Sequence, residues 1–142
     1  MSETLAPPKA AFPWIKINEA GRPQLVAIKC GNCGFSYAEQ TRPACAKCGA
    51  RDQFTQYEPA YTGVVHAATV VMRGFPGVEV PFVSTVVDLD NDGPVLKGSL
   101  RGVGFEPDAI QVGRKVKVVF DDALGRKDAA GNSYISHFFE PL

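Results

Sequence analysis

The residues best placed for chemistry are four cysteines, in the runs Cys30-Gly-Asn-Cys33-Gly and Cys45-Ala-Lys-Cys48-Gly, a C-x2-C-x11-C-x2-C pattern. Two intervening residues let both thiolates of a tight turn reach one ion, and Gly34 and Gly49 can take the positive φ that such a turn needs. Two knuckles of this kind predict a tetrahedral four-sulfur site for zinc, held by Cys30, Cys33, Cys45 and Cys48. Four thiolates leave no position open to water, so the metal is expected to be structural rather than catalytic. Iron in a rubredoxin-like site uses the same ligands and is the chemical rival. A thioredoxin-like redox pair would need a βαβ setting that the sequence lacks.

Other motifs resolve into plainer structure. Asp88-Leu-Asp90-Asn-Asp92-Gly93 begins like a calcium loop, but its twelfth position is Ser99 where a bidentate Glu is required. A hairpin turn through Asn91-Asp92-Gly93 is the expectation instead. Gly102-Val-Gly104 starts a dinucleotide fingerprint and meets Pro107 where the third glycine belongs. The only histidines, His66 and His137, each fall inside an apparent strand and lack convergent partners, so a structural role is expected for both. No nucleophile–base pair emerges, and the chain reads as a non-catalytic binding subunit.

The elements that must position these residues follow from local pattern. Residues 1–23 are expected to form an N-terminal arm or short helix carrying Phe12, Trp14, Ile15 and Ile17, broken at Gly21-Arg22-Pro23. Residues 24–58 are expected to form a metal-dependent ribbon, with strands at Gln24 to Lys29 and Phe35 to Gln40 flanking the first knuckle. From 59 to 142 the chain turns to β-branched residues, with strand candidates at Tyr61–Met72, Pro81–Leu89, Val95–Leu100, Gln111–Asp121 and Ser133–Glu140. In the fourth, Val116, Val118 and Phe120 alternate with Lys115 and Lys117, the period of a half-buried strand. Five short strands fit a small closed barrel of the oligonucleotide/oligosaccharide-binding (OB) size, with Phe105 to Ile110 as a short plugging helix. The fold class expected is all-β, a rubredoxin-like zinc ribbon joined to a five-stranded OB-fold barrel.

Composition sets the outer limits. The chain has 142 residues, 45% of them hydrophobic, with 14 glycines and 11 prolines, which fits a folded chain of one or two small domains. Fifteen basic residues balance fifteen acidic ones, which disfavours a general polyanion binder. Zinc with four thiolates would add about two negative charges and disfavour it further. The stretch from Met1 to Ala11 lacks the apolar core of a signal peptide, and the apolar run Val64 to Met72 is too short for a membrane span. A cytoplasmic location without a disulfide framework is therefore expected.

The order of features is also telling. Trp14 in an arm, Gly21 before a strand, the two knuckles with Arg42-Pro43-Ala44 ahead of the second, Tyr61-Thr-Gly63-Val-Val, the strand Pro81 to Leu89, Gly98, and Ile110-Gln-Val-Gly113 leading into Phe120 together resemble the DUF35 family over nearly the whole chain. The polar segment Asp121 to Asn132 departs from that pattern. The resemblance implies a non-catalytic partner of a thiolase-like enzyme handling acyl-CoA thioesters, in settings such as archaeal acyl-CoA condensation or bacterial breakdown of steroid side chains and aromatic compounds. It also implies coenzyme A or its thioester as a ligand shared with that partner. Arg73 with Phe75, and Lys97 and Arg101 with Phe105, pair cations with aromatic rings as such a ligand requires. Phe12, Trp14 and Ile15 are expected to face the partner. The alternatives are a zinc-ribbon OB module for single-stranded nucleic acid, and an independent CoA-ester enzyme using His66 or His137.

Overall fold

The computed structural model describes residues 8–106 and 108–142. Eleven strands and no helix form among the described residues: β1 (Lys9–Ala10), β2 (Ile15–Ile17), β3 (Pro23–Leu25), β4 (Ala27–Cys30), β5 (Ser36–Tyr37), β6 (Phe54–Tyr57), β7 (Thr62–Val71), β8 (Phe82–Leu89), β9 (Val95–Leu100), β10 (Lys115–Lys127) and β11 (Ser133–Pro141). The arm is thus extended, its β2 pairing with β3, and the helical alternative for it does not form.

β7, β8, β9, β11 and β10 close into a five-stranded barrel, because β11 pairs with β10 along one edge and with β9 in parallel along the other. The arm strand β1 also pairs in parallel with β11, at Tyr134 and Ile135, ahead of the β9 contacts at Phe138 and Phe139. Alternation decides the two faces. Val83, Thr85, Val87 and Leu89 of β8 are buried and pack with Leu96, Leu100, Val116, Val118 and Phe139 inside the barrel, apart from Thr85, which donates to the Gly98 carbonyl. Phe82 and Ser84 of β8, and Lys97 and Ser99 of β9, stand on the outer face by the same period. Gly98 is required where it stands, since a Cβ there would lie 2.9 Å from both His137 and Phe139.

The expected turn between β8 and β9 forms, with Asn91 and Asp92 both at positive φ (62° and 56°). The expected helix at Phe105–Ile110 does not: the described residues make a single turn, the Ala109 N–H donating to the Glu106 carbonyl. Six residues beside Gly102, Gly104 and Pro107 are too few and too rich in breakers to sustain helical bonding. The fourth barrel strand begins later and runs further than expected. Gln111–Arg114 is a turn with Gly113 at φ 89°, whereas the polar stretch beyond Asp121 stays extended because β11 pairs with it.

A separate three-stranded sheet, β5-β4-β6, leads into the cysteine knuckles, with Cys30 at the end of β4. The chain changes sheets at Val26, whose N–H donates to the Trp14 carbonyl. Leu25 then belongs to the arm hairpin and Ala27 to the ribbon. No helix among the described residues is long and apolar enough to cross a membrane.

Candidate metal centre and outer cleft

Both knuckles are built from the same two backbone bonds. The Gly34 N–H donates to the Cys30 carbonyl and the Cys30 N–H to Phe35; the Gly49 N–H donates to the Cys45 carbonyl and the Cys45 N–H to Ala50, all at 2.8–2.9 Å. Gly34 and Gly49 lie at φ 79° and 80° as the spacing requires. The four sulfurs lie within 4.8 Å of one another, with Cys30–Cys48 at 3.7 Å and Cys33–Cys45 at 3.6 Å. Four thiolates at the usual zinc–sulfur distance of about 2.3 Å sit about 3.8 Å apart at tetrahedral corners, so the cluster fits a metal such as zinc.

Two side chains other than the cysteines, Tyr37 beyond the first knuckle and Asn32 within it, support the charge. The Tyr37 hydroxyl lies 3.5 Å from Cys45 Sγ and the Asn32 amide donates to Cys48 Sγ at 3.4 Å. Tyr37 is the main reason that Cys45 is brought down to about 6, against its own desolvation, and Asn32 lowers Cys48 likewise. For Cys33 the backbone N–H of Phe35 pulls downward, but desolvation and the neighbouring sulfurs outweigh it and push the thiol up to about 11. Four crowded thiolates repel one another, and a divalent cation among them would supply the balancing charge.

His137 is tied into the fold through both ring nitrogens. It is buried, its Nε2 lies 2.7 Å from the Lys97 carbonyl, and Trp14 Nε1 donates to its Nδ1 at 3.4 Å. The Nε2–H tautomer satisfies both contacts, and burial holds the ring below the usual histidine range. His66 is exposed and pairs with Asp88 at 2.9 Å.

A long cleft runs over the outer face of β8, β9 and β11, the face with which OB folds commonly bind ligands. One compartment of about 610 Å³ is lined by Phe12, Trp14, Ser84, Lys97, Ser136 and Arg126, among others. A second of about 420 Å³ is lined by Val78, Arg101, Val103 and Phe105, and the two share Phe82, Ser99, Leu124 and Phe138. Phe12 stacks on Trp14 with ring centroids 4.7 Å apart, making an aromatic wall.

Of the expected CoA-contacting residues, Lys97 lines the first compartment, and Arg101 and Phe105 line the second. Arg73 and Phe75 lie in the exposed β7–β8 loop and line neither. Arg101 is already engaged, paired with Asp121 at 2.9 Å and Glu140 at 3.3 Å and lying 4.4 Å over the Phe138 ring. Ile15 corrects an expectation: at 2% exposure it packs into the barrel core and presents nothing to a partner. Sequence reasoning missed Leu124, Arg126 and the three serines. The signal available was the strand period, which puts Ser84, Ser99 and Ser136 on outward positions of three adjacent strands.

Residues 56–121 match the family model of the ChsH2 C-terminal OB-fold domain. A solved structure described as the Ltp2-ChsH2(DUF35) aldolase is similar at 29% identity with a TM-score of 0.60, over 83% of this chain and 84% of that one. The chain resembles the DUF35 proteins in sequence and fold. A second solved structure, a DUF35 family protein of unknown function from Sulfolobus solfataricus, aligns at 16% identity and TM-score 0.47 over 80% of this chain and 76% of its own, a likeness too slight to carry an argument. No curated protein matches.

Proposed function

We propose that this chain is a DUF35-type non-catalytic subunit that binds a thiolase-like enzyme and helps to hold its acyl-CoA thioester while a C–C bond is made or broken. The observation that carries the proposal is the similarity to the DUF35 chain of the Ltp2-ChsH2 aldolase over most of both chains. The metal, proposed as zinc, fixes the ribbon and takes no part in the chemistry. The acyl transfer uses the partner's own nucleophile.

The site residues favour this reading over the alternatives. Every cysteine belongs to the metal cluster, and both ring nitrogens of His137 are committed to protein partners. The cleft combines an aromatic wall and apolar floor with two cations, Lys97 and Arg126, near three serine hydroxyls. An acyl-CoA carries phosphates and adenine on one side and an apolar group on the other, and such a mixed surface suits it. A single-stranded nucleic acid would be better served by a continuous basic groove, which fifteen basic against fifteen acidic residues do not supply. Breakdown of aromatic or steroid acyl-CoA esters is the setting we favour for the complex.

The test is reconstitution. The chain is expected to co-purify with a thiolase-fold enzyme encoded beside it, and omitting it should abolish C–C bond cleavage of the acyl-CoA substrate. Full activity of the partner alone would sink the proposal. A salt-sensitive shift of a single-stranded oligonucleotide, with no binding of CoA esters, would put the nucleic-acid reading in its place.

A further inference from the structure

β10 carries an irregularity over the cleft that folding does not account for. Asp122 pairs with Ile135 and Lys127 with Ser133, so β10 advances five residues while β11 advances two. Within the bulge, Leu124 lies at φ 55° and Gly125 at φ 79°. The left-handed region is disfavoured for a branched apolar residue. Leu124 is also 74% exposed and adds nothing to the core. The bulge is nonetheless anchored on both sides. Asp122 Oδ2 accepts the Gly125 N–H at 2.7 Å, and the Arg126 guanidinium lies 4.7 Å over the Tyr134 ring. A strained backbone that persists because its surroundings hold it is a mark of a functional position.

We infer that Leu124 is a specificity-determining partition in the cleft, closing over the acyl group of a bound acyl-CoA where the two compartments meet. Leu124 borders both compartments, with Phe82, Ser99 and Phe138, so a ligand spanning them passes alongside it. The anionic carrier lies in the first, beside Lys97, Arg126 and the Phe12–Trp14 wall. The acyl group crosses into the second, among Val78, Val103 and Phe105. This inference rests on the acyl-CoA reading above. It adds that this subunit, and not its partner alone, distinguishes acyl groups by size.

Trp14, the only tryptophan, stands in the wall of the first compartment and reports its occupancy. The full metal-loaded chain is titrated with CoA, acetyl-CoA and octanoyl-CoA by tryptophan emission and by calorimetry, alone and with its co-purified partner. Wild type should prefer octanoyl-CoA. Leu124→Gly and Leu124→Asn, both suited to positive φ, should reduce that preference about tenfold without lowering CoA affinity, and, with the backbone strain relieved, without lowering the melting temperature. An unchanged preference, an equal loss for all three ligands, or unfolding of both variants would overturn the partition alone. No binding of any CoA species by wild type in either setting would overturn the acyl-CoA reading, and the partition with it.

Discussion

At the scale of single residues, His137 and the cysteines make the clearest demands. His137 is held below its usual range by burial, so the unfolded chain binds more protons than the folded one between the folded value and the unfolded value near 6.5. Stability conferred by the neutral ring is therefore present above that window and lost as pH falls through it. Thermal midpoints between pH 7.5 and pH 5.5 should fall for wild type, and His137→Gln should flatten that slope while lowering stability at neutral pH. A slope that survives the substitution would assign the pH dependence elsewhere. Cys45→Ser should release the metal, read as loss of one bound ion per chain by elemental analysis, because one oxygen cannot replace a thiolate in a closed four-sulfur site. The clustering of the four cysteines was legible from spacing alone. Tyr37 and Asn32 were not, since they approach the sulfurs only through the fold of the ribbon.

At the scale of elements, the barrel strands were legible because alternation and β-branched runs are local properties. Phe82–Leu89 and Val95–Leu100 lie within one residue of their expected bounds for that reason. The arm was not: Ile15 looked like an exposed apolar residue and instead enters the core, and β1 gains its register only from β11, more than a hundred positions away. Phe138 is outward by period yet buried, with the Arg101 guanidinium over its ring. Element packing yields a sharp expectation at Gly98. An added methyl would meet His137 and Phe139 at 2.9 Å, so Gly98→Ala should cost about 1–3 kcal/mol in denaturant unfolding. The Asp128 side chain fixes the β10–β11 turn by accepting from the N–H groups of Ala130 and Asn132, and it pairs with Lys9 of β1 at 2.8 Å. Asp128→Ala should therefore lower the melting temperature and speed amide exchange in both the turn and the arm. Exchange confined to the turn would show that the ion pair does not hold β1.

For the molecule as a whole, charge balance and cleft chemistry point the same way. With fifteen residues of each sign, raising salt from 50 to 200 mM should change affinity for an acyl-CoA only modestly, whereas a nucleic-acid binder would lose orders of magnitude. The arrangement of β11 bears also on time. This one strand pairs with β10, β9 and β1, so the barrel cannot close until the last described strand reaches it. The ribbon pairs only within residues 27–57 and has its four ligands by Cys48. Local contacts form sooner than distant ones. On a translating ribosome the metal would be captured while the barrel is still open, and closure would follow as a separate, later event. A nascent chain stalled at Asn132 should retain metal yet lack the burial of Trp14, which locates the slow step of maturation at the C-terminal strand.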